Sequence, residues 1–129
     1  RESAVATSSP PSPTRSRDLP PSSSTTSEVL LRGRLSGVRS ITMPSGDEVV
    51  TFRVIIDRPA HRRGPGGRVR VDTIDCLIWS APQRRRILTW EDGVLVEVVG
   101  SLQRRFWKTG AGGSLSRTEV CASRVRRVT

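Results

Sequence analysis

From residue 28 onward the chain is written in short runs of alternating apolar and polar side chains, each closed by a turn signal. Val49–Asp57 is the clearest. Val50, Phe52, Val54 and Ile56 fall on one face and Thr51, Arg53 and Asp57 on the other, with Ile55 the one exception. A period of two belongs to a strand that buries one face, so the chain must make a sheet and cover that sheet's apolar side. Glu28–Leu35 reads as the preceding strand, with Gly33 marking a bend or the close approach of another backbone. In Val71–Trp79, Ile74, Cys76 and Ile78 point one way while Thr73, Asp75, Leu77 and Trp79 point the other. Val94–Trp107 is a long strand with Gly100 as a second bend. Ser116–Val128 closes the set, with Thr118, Val120, Ala122 and Arg124 on one face.

Met43-Pro44-Ser45-Gly46 and Asp92-Gly93 are turn chemistry, and the glycine-rich Thr109–Ser114 reads as a hairpin tip. Pro82–Trp90 is the single helix expected: proline suits a first turn, and Ile87, Leu88 and Trp90 can cover one end of a small sheet. Three strands, a short helix and two more strands, with glycines inside the strands, predict an all-β, five-stranded closed barrel of the OB type. An SH3-like barrel competes, but usually lacks a helix between its third and fourth strands.

Composition sets the domain boundary. Residues 1–27 hold nine Ser, four Thr and five Pro, so 18 of 27 positions add nothing to a packed interior. They read as a disordered tail. Residues 28–129 carry every Trp, both Phe and both Cys, and form one domain. No apolar run approaches the roughly 20 residues of a membrane span, and no secretory signal is visible. Cys76 and Cys121 lie 45 residues apart without a CxxC partner, and the single His61 sits in a Gly/Pro loop, so neither a metal site nor a cofactor is expected. Free thiols point to a reducing cytoplasm.

Charge narrows the function. The net charge is +10, and of 22 cationic residues only Lys108 is not arginine. Nine of those ten charges fall after residue 27, on the folded part, where they can form a footprint for a polyanion. Arginine both forks onto phosphates and stacks on bases. The loop Arg58–Arg70 alone holds five, and reads as irregular and solvated.

No catalytic constellation is present. The only histidine lies in that loop, Asp72 and Asp75 point to opposite sides of a strand, and Gly110, Gly112 and Gly113 lack the ending of a phosphate loop. An enzyme is not expected. A binding surface is: strand parity puts Arg53, Trp79, Arg105 and Trp107 in solvent-facing rows. Gln103-Arg104-Arg105-Phe106-Trp107-Lys108 brings cations and aromatics together at one strand end, Arg105 and Trp107 facing one side and Arg104 and Phe106 the other. Exposed indoles among arginines suit single-stranded nucleic acid. Trp90, at a helix end, is assigned to the core instead.

Val29-Leu30-Leu31-Arg32-Gly33-Arg34-Leu35, the Met43–Gly46 turn, Gly100–Trp107 and Ser116-Arg117-Thr118-Glu119-Val120, in that order, resemble the bacterial single-stranded DNA-binding protein (SSB) family. The chain is most similar in character to its short, arginine-rich actinobacterial paralogues. The resemblance implies an OB fold that wraps single-stranded DNA with little sequence preference, usually as a homotetramer. It also implies the family's established binding mode, in which bases stack on aromatic side chains. By position, Trp79 and Trp107 look like two of the family's stacking aromatics, Arg105 resembles a basic contact, and Arg32, Arg34 and Arg53 border the DNA path. Thr73 stands where a further tryptophan is common, and the 58–70 loop substitutes arginines for another aromatic, which implies more reliance on phosphate and a steep salt dependence. The family's acidic C-terminal tip has no counterpart before Thr129, which puts recruitment of replication and repair proteins in doubt.

The expectation is a non-enzymatic domain binding and protecting single-stranded DNA during replication, recombination or repair, in the cytoplasm on the nucleoid. Its expected contacts are Arg32, Arg34, Arg53, Trp79, Arg105, Trp107 and Lys108. An RNA-binding or primosome-type OB protein, an assembly module lacking DNA binding, and a ribosomal-type protein are the alternatives.

Overall fold

A computed structural model describes residues 25–129; the expectation of disorder for the tail lies outside the described residues up to position 24. Five strands, β1 (Val29–Thr42), β2 (Glu48–Asp57), β3 (Val71–Ile78), β4 (Leu95–Lys108) and β5 (Ser114–Arg127), and one helix, α1 (Ala81–Ile87), follow in the expected order. The strands close into a barrel in the order β1-β2-β3-β5-β4, with β4 returning to β1. Every neighbouring pair is antiparallel except β3 and β5, which run parallel through Cys76–Val120, Leu77–Cys121 and Ile78–Ala122. This is the five-stranded OB arrangement.

The alternation in β2 works as expected: Val50, Phe52 and Val54 are buried with Leu35, Cys76, Ile78, Val96, Val98 and Val120. Ile87 of α1 is fully buried and plugs the barrel, and Trp90 packs partly against the same core. Leu88 does not join them; it is exposed. The helix ends at Ile87, short of the expected Trp90. The amides of Thr89 and Trp90 bond carbonyls three residues back, which tightens the chain out of α-helix and turns Leu88 outward.

β1 runs seven residues beyond the expected Leu35. Its first part, Val29–Arg34, pairs with β4, and its second, Arg34–Thr42, pairs with β2. A bulge between Ser36 and Arg39 carries it round the corner, with Gly37 at φ +63°. The polar residues after the bulge carry no alternation, which is why the sequence conceals this half. A second bulge accounts for a parity change in β5. Val99 pairs with Arg124 and Gly100 with Ala122, so Ser123 is the extra residue and the buried row passes from Val120 and Ala122 to Val125. Thr118 and Arg124, expected in that row, are exposed.

Gly33 and Gly100 mark close backbone approaches. A Cβ on Gly33 would collide with the carbonyl oxygen of Ile55, and one on Gly100 with that of Cys121. Outside the barrel, Leu102–Lys108 and Ser114–Thr118 remain paired but are exposed on both faces, forming a projecting two-stranded ribbon. Its tip is closed by Thr109 N–H bonding the Gly113 carbonyl at 2.9 Å.

Candidate nucleic-acid interface

A groove of about 330 Å³ runs over the outer face of β2, β3 and β5. Its floor includes Val49, Thr51 and Leu77. One side is the second half of β1, with Arg39 and Ile41, and the other is the base of the ribbon, with Gln103, Arg105, Arg117 and Glu119. Leu77 was expected to point outward, and it does, but it is buried because the groove's walls close over it.

Three of the expected contacts meet here: Arg53, Trp79 and Arg105 all line the groove. Trp79, 44 % exposed, directly follows the last residue of β3. Its carbonyl accepts a hydrogen bond from Arg84 Nε at 3.0 Å, and Arg84 in turn pairs with Glu48 at 2.8 Å, so the start of α1 fixes the strand end. Arg53 lies across the β1 bulge, where Gly37 leaves room: a Cβ there would stand 2.6 Å from Arg53 Nη2. Trp107, 40 % exposed, continues the surface along the ribbon, with the Arg105 guanidinium 5.8 Å from its ring. Arg105, Phe106, Trp107 and Arg117 line a second shallow depression there.

The groove also holds an acid at its floor. Glu119 is 4 % exposed, accepts a hydrogen bond from Gln103 Nε2 at 3.0 Å and pairs with Arg105 Nη2 at 3.5 Å. Such a carboxylate orients the two side chains that border the groove. Asp75 stands 3.9 Å from Arg117. Against these two carboxylates the groove presents Arg39, Arg53, Arg105 and Arg117, so its charge is net positive.

The other expected contacts lie elsewhere. Arg32 donates to Glu97 at 2.9 Å on the outer face of β1 and β4, and Arg126 grips the same carboxylate at 2.9 Å. These two hydrogen bonds, Arg32 first, hold the Glu97 carboxyl below its ordinary range. Arg34 bonds both carboxylate oxygens of Asp57, at 2.9 and 3.3 Å, and lowers that carboxyl likewise. Lys108 alternates with Trp107 and stands on the opposite face of the ribbon.

Sequence reasoning missed Arg39, Arg117 and the buried Glu119. Arg117 was within reach, because it pairs directly with Arg105 across the ribbon. Arg39 was not, since the bulge resets its parity. Among the described residues no cluster of His, Cys, Asp and Glu is arranged to hold a metal, and no helix is long and apolar enough to cross a membrane.

Residues 26–128 match the model of the single-strand binding protein family, and the chain belongs to that family. It is 30% identical over 99 residues to a single-stranded DNA-binding protein of Oceanobacillus iheyensis, covering 76% of this chain and 60% of that protein. It is 28% identical over 99 residues to single-stranded DNA-binding protein B of Bacillus subtilis, covering 77% of this chain and 87% of that one. The chain thus spans about three fifths of the Oceanobacillus relative's length. In fold it is similar to a Plasmodium falciparum SSB solved in complex with single-stranded DNA. The TM-score is 0.69 at 21% identity, over 81% of this chain and 96% of that one. A mitochondrial single-stranded DNA binding protein from S. cerevisiae superposes over the same shares at a TM-score of 0.61 and 13% identity.

Proposed function

We propose that this chain binds single-stranded DNA along the groove with little sequence preference, protecting it during replication, recombination or repair. The observation that carries the reading is the placement of Trp79, Arg53 and Arg105 in one groove that Trp107 prolongs. Indole faces take bases of any sequence, and guanidiniums follow the phosphates. Nothing in this mechanism requires bond chemistry, a cofactor or a metal, and the reading is of a binding protein and not an enzyme. Family membership supports it, as do the names of the relatives. On the same reading we infer a cytoplasmic, nucleoid-associated protein.

The same proposal includes self-association, with a homotetramer favoured. Leu30 is 67 % exposed on the outer face of β1, paired with Val99 of β4 and beside the Arg32–Glu97–Arg126 cluster. An apolar patch with its charges already neutralised suits a contact between copies. Arg32 and Arg34 are therefore assigned smaller DNA contributions than Arg53, because phosphate must compete with Glu97 and Asp57.

Titration with oligo-dT, followed by tryptophan fluorescence, tests the reading. Strong quenching is expected, and Trp79→Ala or Trp107→Ala should each weaken binding by about 5- to 100-fold. Four groove arginines imply a slope of log affinity against log salt of about −3. Absence of quenching at low salt would sink the stacking mechanism; a flat salt response would remove the phosphate contacts.

A further inference from the structure

Among the described residues Glu119 is the one charged side chain that the fold buries, and it lies on the floor of a groove read as the site of a polyanion. Burying a carboxylate is costly unless partners compensate for it. Compensation here is partial. Gln103, its direct cross-strand partner, donates one neutral hydrogen bond from Nε2 at 3.0 Å. Arg105 stands 3.5 Å away, beyond the roughly 2.7–2.9 Å of a tight charge-assisted bond, and half of its side chain is in solvent. Nor does packing ask for an acid at this position. Glu119 precedes the inward-facing Val120 and so points out of the barrel, and Val49 and Leu77 beside it on the floor are apolar.

We infer that Glu119 is a specificity-determining residue of the groove: it keeps phosphate off the floor and reserves that floor for bases, while the backbone follows the arginines at the sides. The inference rests on the proposed function and deepens it by fixing which way round the strand lies. Charge and hydrogen-bond chemistry agree. A phosphodiester offers acceptors and a negative charge, and Glu119 meets it with the same. A base offers an N–H donor on its pairing edge and a flat face for apolar contact. The floor has a partner for each. Because a carboxylate only accepts, the Gln103 amide turns its NH2 toward Glu119, which leaves its carbonyl oxygen as an acceptor for a base donor. Val49 and Leu77 supply the apolar contact. The cations Arg39, Arg53 and Arg117 are exposed around this floor, where a backbone can reach them without passing the acid. Repulsion of the wrong group is a source of specificity in its own right, separate from attraction of the right one.

Oligo-dT and an abasic deoxyribose-phosphate oligomer of the same length, about 8 nucleotides, carry the same phosphates and differ only in having bases. The full chain should prefer oligo-dT. Glu119→Gln keeps the side chain's size and an acceptor for Gln103 but removes the charge. It should bind the abasic oligomer more tightly while oligo-dT gains little, so that the preference falls about tenfold. Asp75→Asn removes an equal charge from a more exposed place in the same groove, and should strengthen both oligomers in proportion, leaving the preference unchanged. Arg105→Ala strips Glu119 of the cation paired with it and should raise the preference, a second test that does not depend on Glu119→Gln folding. Proportional gains for both oligomers in Glu119→Gln overturn the inference. So does an equal fall in preference in Asp75→Asn, since any acid in the groove would then serve, and so does an unchanged or lowered preference in Arg105→Ala. In each of these cases tryptophan quenching by oligo-dT leaves the groove reading standing. Failure of the unsubstituted chain to bind oligo-dT overturns both.

Discussion

Gly33 and Gly100 are single atoms of absence that let the barrel close. At each, the missing Cβ is the space in which a neighbouring strand's carbonyl sits, so the constraint is steric and not conformational. Gly33→Ala should lower stability by about 1–3 kcal/mol as the Ile55 carbonyl is pushed away. Urea denaturation would show this as a lower midpoint at an unchanged slope. Trp79 was legible from parity alone, because it follows a well-formed alternating run, and Trp107 was placed by carrying the alternation of β4 out along the ribbon. Glu119 was not. A carboxylate in the middle of Arg117-Thr118-Glu119-Val120 looks like any solvent-facing strand residue, and its burial follows from the ribbon base folding over it.

At the scale of elements the 58–70 loop departs most from its sequence. Five arginines among glycines and prolines read as a solvated run, yet two of them build the loop. Arg58 clamps Asp72 with bonds of 2.9 and 2.7 Å and reaches the Arg62 carbonyl at 3.1 Å. Arg63 Nε bonds the Arg58 carbonyl at 3.1 Å, and the Val69 amide bonds the Arg63 carbonyl at 3.0 Å. Arg62, Arg68 and Arg70 are left facing solvent. The Arg58–Asp72 pair, 14 residues apart, lies beyond a reading by short windows, and both bulges, set by pairing between strands, escape it too. Arg58→Ala should raise tryptic cleavage within the loop. The midpoint of global unfolding should change little, since exposed ion pairs contribute about 0–1 kcal/mol. Unchanged cleavage would mean that backbone bonds alone hold the loop.

The whole molecule carries +10, and its ion pairs set how it responds to acid. Hydrogen bonds from Arg32 and Arg126 to Glu97, from Arg34 to Asp57 and from Arg58 to Asp72 each hold the folded carboxyl below its ordinary value. A group whose folded pKa is depressed favours folding above its unfolded pKa, and that contribution fades as pH falls through the folded value. Stability should therefore be level through neutrality and decline below about pH 4, where protonation also adds to the positive self-repulsion. Thermal melts across pH 3–7 would check this; a melting temperature that rose on acidification would contradict it. The architecture was legible because five alternating runs and one plug helix admit few closed arrangements. Hidden from the sequence was how far β4 and β5 outrun the barrel, since a ribbon exposed on both faces has no apolar row to announce it.

The parallel join of β3 to β5 has a further consequence. Cys76–Val120, Leu77–Cys121 and Ile78–Ala122 are all that fasten one end of the sheet to the other, whereas β4 and β5 are zipped along nearly their whole lengths. The barrel is a belt with a short buckle, three residue pairs against six between β1 and β4, and the shortest join is the one expected to part first. Both cysteines lie in it. Burial pushes the Cys76 thiol up to about 12, helped by the nearby Asp75 and Glu119 charges, so it is inert while the buckle holds. The molecule thus carries a chemical witness to its own opening: Cys76 becomes a nucleophile only in those moments when the ring has come undone.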